Sequence, residues 1–146
     1  LDIMSKKYNS QQVEVTGHSL GAAEATLMIY DLLYQYSQYN IIHFYTFGSP
    51  RVGNKNFVNS ISQFKEEYFR ITHYYDIVPH LPEEILDYIH MPNEIWYSEK
   101  NNNYRLCDDS VNNEDKKCSD SCAPLSCIST SDHLNYLNIT MGSSGC

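Results

Sequence analysis

At 146 residues, 42% hydrophobic and 19% charged, the chain has material for one packed core and reads as globular rather than disordered. A net charge of -8 speaks against nucleic acid and anionic membrane surfaces as partners. No apolar run approaches the ~20 residues of a membrane span, and a chain starting at Leu1 rather than Met reads as processed or truncated, so its lack of a signal peptide says nothing about secretion.

Leu1 to Tyr8 looks like the end of a helix, closed by Asn9-Ser10. Val13 to Thr16 is a short β-branched strand, and it runs into Gly17-His18-Ser19-Leu20-Gly21. Small residues and a helical pattern follow. This is G-x-S-x-G in the strand, tight turn, helix context of a nucleophile elbow. The turn must lift the Ser19 hydroxyl clear of its neighbours, which predicts strained backbone angles at Ser19. Gly17 and Gly21 are expected where a Cβ would collide with the adjacent strand or helix. The helix behind Ser19 aims free N–H groups and its positive dipole end at the site, so the Leu20 N–H is a candidate oxyanion donor.

From Leu20 to about Tyr36, Leu20, Ala23, Leu27, Tyr30, Leu33 and Tyr34 recur at helical spacing. The nearly continuous apolar run Ile41 to Phe47 suits a strand buried on both faces of a parallel sheet. Asn54 to Tyr68 reads as an amphipathic helix with Phe57, Val58, Ile61 and Phe64 inward and Asn54 or Lys55 near its start. Phe69 to Tyr74 is the next strand. Strand, helix, strand, helix, strand predicts a parallel α/β sheet with right-handed crossovers. Beyond Asp76, Pro79, Pro82 and Pro92 break regular structure. Glu94 to Tyr97 is a candidate strand, Asn101 to Asp120 a polar surface loop, and Ser131 to about Leu137 a short helix capped by Ser131.

A hydrolytic serine needs a base, and the base needs an orienting carboxylate. Asp76 lies just past a strand, at the sheet edge where ligands gather in open α/β folds. Six histidines compete for the base. His18 sits inside the elbow and reads as packing; His43 is expected to be buried in mid-strand, and His73 lies in the sheet. His80, His90 and His133 remain. Only with His133 does the chain order become Ser19, Asp76, His133, the α/β-hydrolase order; position alone leaves His80 and His90 open.

All five cysteines fall in the last third: Cys107, Cys118, Cys122, Cys127 and Cys146. The spacing Cys118-x3-Cys122-x4-Cys127 fits a zinc knuckle poorly. Disulfides in a secreted or vacuolar protein are the better reading, with one cysteine left over. Asn138-Ile139-Thr140 is a candidate glycosylation sequon consistent with that route.

Four blocks together resemble the class 3 (fungal-type) triacylglycerol lipases. They are Thr16-Gly17-His18-Ser19-Leu20-Gly21-Ala22-Ala23, Thr46 to Asn54, Asp76-Ile77-Val78-Pro79-His80-Leu81-Pro82, and Asp132-His133-Leu134-Asn135-Tyr136. A fifth, His90 to Tyr97, fits the segment between acid and base. The resemblance implies an α/β-hydrolase fold and cleavage of lipid acyl esters, with no cofactor or metal. It implies Ser19 as nucleophile, Asp76 as orienting acid, His133 as base and Leu20 as one oxyanion donor. It further implies that residues 1–146 are the C-terminal half of a catalytic domain. On this reading the N-terminal strands, the lid and the second oxyanion donor lie outside this chain, and the odd cysteine, Cys146, pairs with the absent half. Such a piece is expected to be poorly active and aggregation-prone alone. The competing readings are an inactive lipase-like binding protein and an esterase for phospholipid, galactolipid or feruloyl esters.

Overall fold

A computed structural model describes residues 1–62, 67–111, 113–122 and 126–142. The expectations for Phe64 and Cys146 fall outside these. The elements in order are α1 (Asp2–Tyr8), β1 (Gln12–His18), α2 (Leu20–Tyr34), β2 (Asn40–Phe47), α3 (Lys55–Ile61) and β3 (Glu67–His73). Then come β4 (Glu94–Tyr97), β5 (Tyr104–Leu106), α4 (Thr130–His133) and the hairpin β6 (Asn135–Tyr136) and β7 (Ile139–Thr140).

The main sheet runs β1-β2-β3-β4-β5. β1 to β4 are parallel and β5 pairs antiparallel with β4. The register puts Phe47 between His18 and Ile71, so β1 and β2 end level with each other and β3 two residues later. Ser19, Gly48 and the turn carrying Asp76 therefore emerge along one edge. This is the carboxyl edge, where successive parallel strands deliver their following loops.

α2 covers the sheet with Ala22, Ala25, Thr26, Ile29 and Leu32. They meet Val15, Ile41, Phe44, Val58, Ile61 and Tyr68 in the core. Two stripes on this helix share the helical period, and the sheet takes the one with smaller or β-branched members. Leu20, Leu27 and Tyr34 of the expected stripe are exposed. Ala22 and Ala25 in this stripe let the helix approach the strands closely.

α3 stops at Ile61, and Tyr68 belongs to β3 opposite Phe44 rather than to the helix. Its start is as expected: the Asn54 side chain accepts the amides of Asn56 and Phe57. His43 is not buried in mid-strand; its side chain is partly exposed and its Nδ1 lies 3.1 Å from Glu14 Oε1. The polar stretch 101–120 contains an unanticipated strand, β5, and is pinned by the Cys107–Cys118 disulfide.

Candidate active site

Ser19 has φ 59° and ψ -126°, a conformation that L-residues rarely adopt. The chain turns there from β1 into α2 because Gly17 lets the first turn of the helix pass over the strand. A Cβ on Gly17 would lie 2.2 Å from the Gly21 carbonyl oxygen and 2.7 Å from the Ala22 nitrogen. Gly21 differs from expectation: a Cβ there meets nothing within 4 Å. Only the first glycine of the motif is demanded by space. Ser19 N donates to the Phe47 carbonyl at 3.0 Å, which ties the elbow to β2.

His133 Nε2 lies 2.7 Å from Ser19 Oγ, and His133 Nδ1 lies 2.9 Å from Asp76 Oδ2. The three residues singled out from sequence form one hydrogen-bonded chain. Asp76 is 2% exposed, yet its carboxylate is well served. Oδ1 accepts the Val78 amide at 2.8 Å, and Oδ2 accepts the Tyr136 hydroxyl at 2.5 Å as well as facing His133. A carboxyl group this buried needs such donors in place of the water it has lost. Burial, then the charge of Asp76, pushes the Tyr136 phenol well above its usual range, so it remains a donor.

Gly48 is the hidden member of the site. Its φ is +55°, and a Cβ there would lie 2.8 Å from Asp76 Oδ2, 2.9 Å from the Tyr136 hydroxyl and 3.1 Å from His133 Nδ1. Asp76, His133 and Tyr136 meet in the space that this missing side chain leaves.

His133 sits far from Asp76 in sequence, and several contacts seat it. Ser129 pairs with Asp76 as an isolated parallel bridge, and Ser129 N donates to the Tyr75 carbonyl at 3.0 Å. The Ser129 hydroxyl, rather than Ser131, caps α4 by accepting the Asp132 amide. The His73 ring faces two backbone carbonyls, Asp132 at 3.1 Å and Glu99 at 3.2 Å. His18 Nε2 donates to the His133 carbonyl at 2.8 Å, and its ring stacks on His133 with centroids 4.6 Å apart. Burial is the largest influence on His18 and lowers its affinity for protons, which favours the neutral ring beside His133. It is packing, as the sequence suggests, but packing directed at His133. Tyr136 and Gly48 are site residues that sequence reasoning quoted within motifs without giving them a role.

His80 and His90 go elsewhere. His90 is buried, donates through Nε2 to the Pro79 carbonyl at 2.7 Å, and is held neutral chiefly by burial. His80 Nε2 lies 3.8 Å from Cys122 Sγ, and burial lowers its proton affinity too. Neither is hydrogen-bonded to Ser19 or Asp76 among the described residues. Cys107 bonds to Cys118 and Cys122 to Cys127, so the sulfurs a zinc knuckle would use are occupied by disulfides.

A parallel sheet with a serine elbow at its carboxyl edge is the architecture of the α/β hydrolases. Within that class, the family model "Lipase (class 3)" matches residues 1–85, and the chain belongs to this family. It is 37% identical over 141 residues to a lipase of Rhizomucor miehei, covering 94% of this chain and 38% of that protein. The structure of lipase II from Rhizopus niveus superposes with a TM-score of 0.81 at 33% identity, over 97% of this chain and 53% of that one. A triacylglycerol lipase whose catalytic centre is a serine protease triad superposes at 0.80 and 36% identity, over 94% of this chain and 52% of that one. The chain thus spans about half or less of the relatives it matches.

Proposed function

We propose that the chain carries the nucleophile, acid and base of a lipase that cleaves lipid acyl esters through an acyl-enzyme. The observation that supports this best is the unbroken line from Ser19 Oγ through His133 to Asp76. His133 Nε2 takes the Ser19 proton as Oγ attacks the ester carbonyl. The Leu20 N–H, first amide of α2, stabilises the oxyanion. Collapse of the intermediate breaks the C–O bond, and the alcohol leaves with the proton held by His133. Water, deprotonated by His133, then frees the fatty acid. Asp76 holds Nδ1 of the base and offsets its positive charge. No step calls for a metal or cofactor.

Leu20 beside the nucleophile is 70% exposed, which suits an apolar acyl chain better than a polar substrate. No helix among the described residues is long and apolar enough to cross a membrane; a lipid substrate would be met at a lipid–water interface. We read residues 1–146 as the C-terminal half of the catalytic domain, with further strands and a second oxyanion donor supplied by the rest. Lack of one such donor costs about 3–4 kcal/mol of transition-state stabilisation, so residues 1–146 alone should be weakly active. The disulfides, and relatives from Fusarium and Penicillium that are secreted lipases, support a secretory route.

The test is covalent labelling by a serine-directed phosphonate of residues 1–146, of Ser19→Ala, and of each with the N-terminal half restored. Labelling that requires Ser19 supports the assignment. A properly folded extended protein that hydrolyses esters equally well as Ser19→Ala would overturn it.

A further inference from the structure

The sequence holds thirteen asparagines but a single Asn-x-Ser/Thr sequon, Asn138-Ile139-Thr140, and the catalytic reading leaves it unused. The fold places it at the tip of the β6–β7 hairpin. Tyr136 pairs with Ile139 and Asn135 with Thr140, so Leu137 and Asn138 form the two-residue connection. Their φ angles are 54° and 62°, as a type I′ turn requires. Asn138 and Thr140 are both exposed. We infer that Asn138 is an N-glycosylation site whose glycan covers the outer face of this hairpin.

Turn chemistry alone explains the asparagine but not the motif. Asn9, Asn93 and Asn101 also sit at positive φ, and none of them begins a sequon. The hairpin is also strictly two-sided. Tyr136 points inward to Asp76, while Leu137 and Ile139 are 41% and 58% exposed, with Leu134 exposed nearby. A glycan on Asn138 starts from the exposed turn, on the side away from the Tyr136 contact with Asp76. In the transfer step, the Asn138 side-chain nitrogen forms a bond to C1 of the sugar of a lipid-linked oligosaccharide diphosphate. The C1–O bond breaks, the lipid diphosphate leaves, and the amide loses one proton.

This inference rests on the secretory route proposed above and is independent of the catalytic assignment. The experiment is to secrete the protein from a eukaryotic host behind that host's leader, then measure intact mass, disulfide state and the peptide carrying residue 138. The expected result is one oligosaccharide, released by peptide-N-glycosidase to leave aspartate at 138. It should vanish in Asn138→Gly, which keeps the positive φ, and in Thr140→Val, which keeps the strand shape and Asn138 itself. A secreted sample with both disulfides formed and Asn138 unmodified would overturn the site alone. A sample whose cysteines stay reduced would overturn the secretory route and this inference with it.

Discussion

The two arms of the site are held in place by different physics. Ser19 is positioned by its own neighbours: a strained residue between a strand and a helix that meet over Gly17, all within a few positions of chain. Asp76 and His133 are positioned by groups scattered from residue 18 to residue 136, which converge only when the whole sheet is formed. The first arm is a local bend and resists change through steric exclusion. The second is a network of buried hydrogen bonds, in which each member matters in proportion to what it leaves unsatisfied.

The sharpest way to break the local arm is Gly17→Ala. The added Cβ would lie 2.2 Å from a backbone oxygen that belongs to the helix, so β1 and α2 must separate. We expect a loss on the order of 4 kcal/mol or outright failure to fold, read from denaturant midpoints. A near-wild-type midpoint would show that the elbow has slack the geometry denies. The matching blow to the scattered arm is Gly48→Ala. It strains a residue at φ +55° and pushes into Asp76, His133 and Tyr136 together. A displacement of about 1 Å at the reacting groups costs on the order of a hundredfold in rate. The expected signature is therefore a fall in kcat of at least that size in a protein that still folds.

Tyr136→Phe is a milder cut into the same network. It deletes one donor to a buried carboxylate and leaves the ring in place. Hydrogen bonds to charged groups contribute roughly 1.5–3 kcal/mol, so Tm and kcat/KM should both fall, the latter about tenfold. Unchanged kinetics would mean that Val78 N and His133 suffice to hold Asp76.

This contrast also explains what could be read from sequence. The elbow, the parallel strands and the start of α3 at Asn54 or Lys55 are local signals, and each appears in place. That Ser19, Asp76 and His133 would come together was legible because short motifs mark them in α/β-hydrolase order, and they share one hydrogen-bonded line. Gly48 was not, because its role is to be empty beside residues remote in sequence. The buried stripe of α2 was not either. Periodicity offered two faces, and the choice depends on how closely the sheet lets the helix approach. The span over 54–68 read as one helix because Phe57, Val58, Ile61 and Phe64 share a helical period, whereas strand pairing with Phe44 claims Tyr68. The cap at Ser129 depends on a bridge to Asp76 that no local pattern announces.

A pH titration separates the arms without touching the site. The segment behind Asp76 is fastened by Arg51, which donates to the Leu81 and Pro82 carbonyls and grips Glu114 through Nε and Nη2. Burial pushes the Glu114 carboxyl up, but the Arg51 fork, by hydrogen bond and by charge, pulls it down further, to about 2. Its folded value lies below the unfolded one, so its stabilisation is fully present above pH 4.5 and is lost as pH falls towards 2. Unfolding free energy should therefore drop steeply across that window, and Glu114→Gln should flatten the drop while lowering stability at neutral pH. An unchanged acid profile in the variant would place the acid sensitivity elsewhere.

The smallest effect belongs to the other glycine of the elbow. Gly21 lies in α2, and a Cβ there meets nothing within 4 Å, so the Gly21→Ala side chain has room. Alanine in place of a helical glycine removes backbone freedom from the unfolded chain and is worth up to about 1 kcal/mol in favour of the helix. We expect a Tm equal to or slightly above that of the parent. Measured beside Gly17→Ala, this is the cleanest probe of the local arm. Two substitutions of the same chemistry, four residues apart in one motif, should move stability in opposite directions. If Gly21→Ala destabilised as severely as Gly17→Ala, the elbow would be governed by backbone freedom at both positions. Steric exclusion at the crossing of β1 and α2 would then no longer account for it.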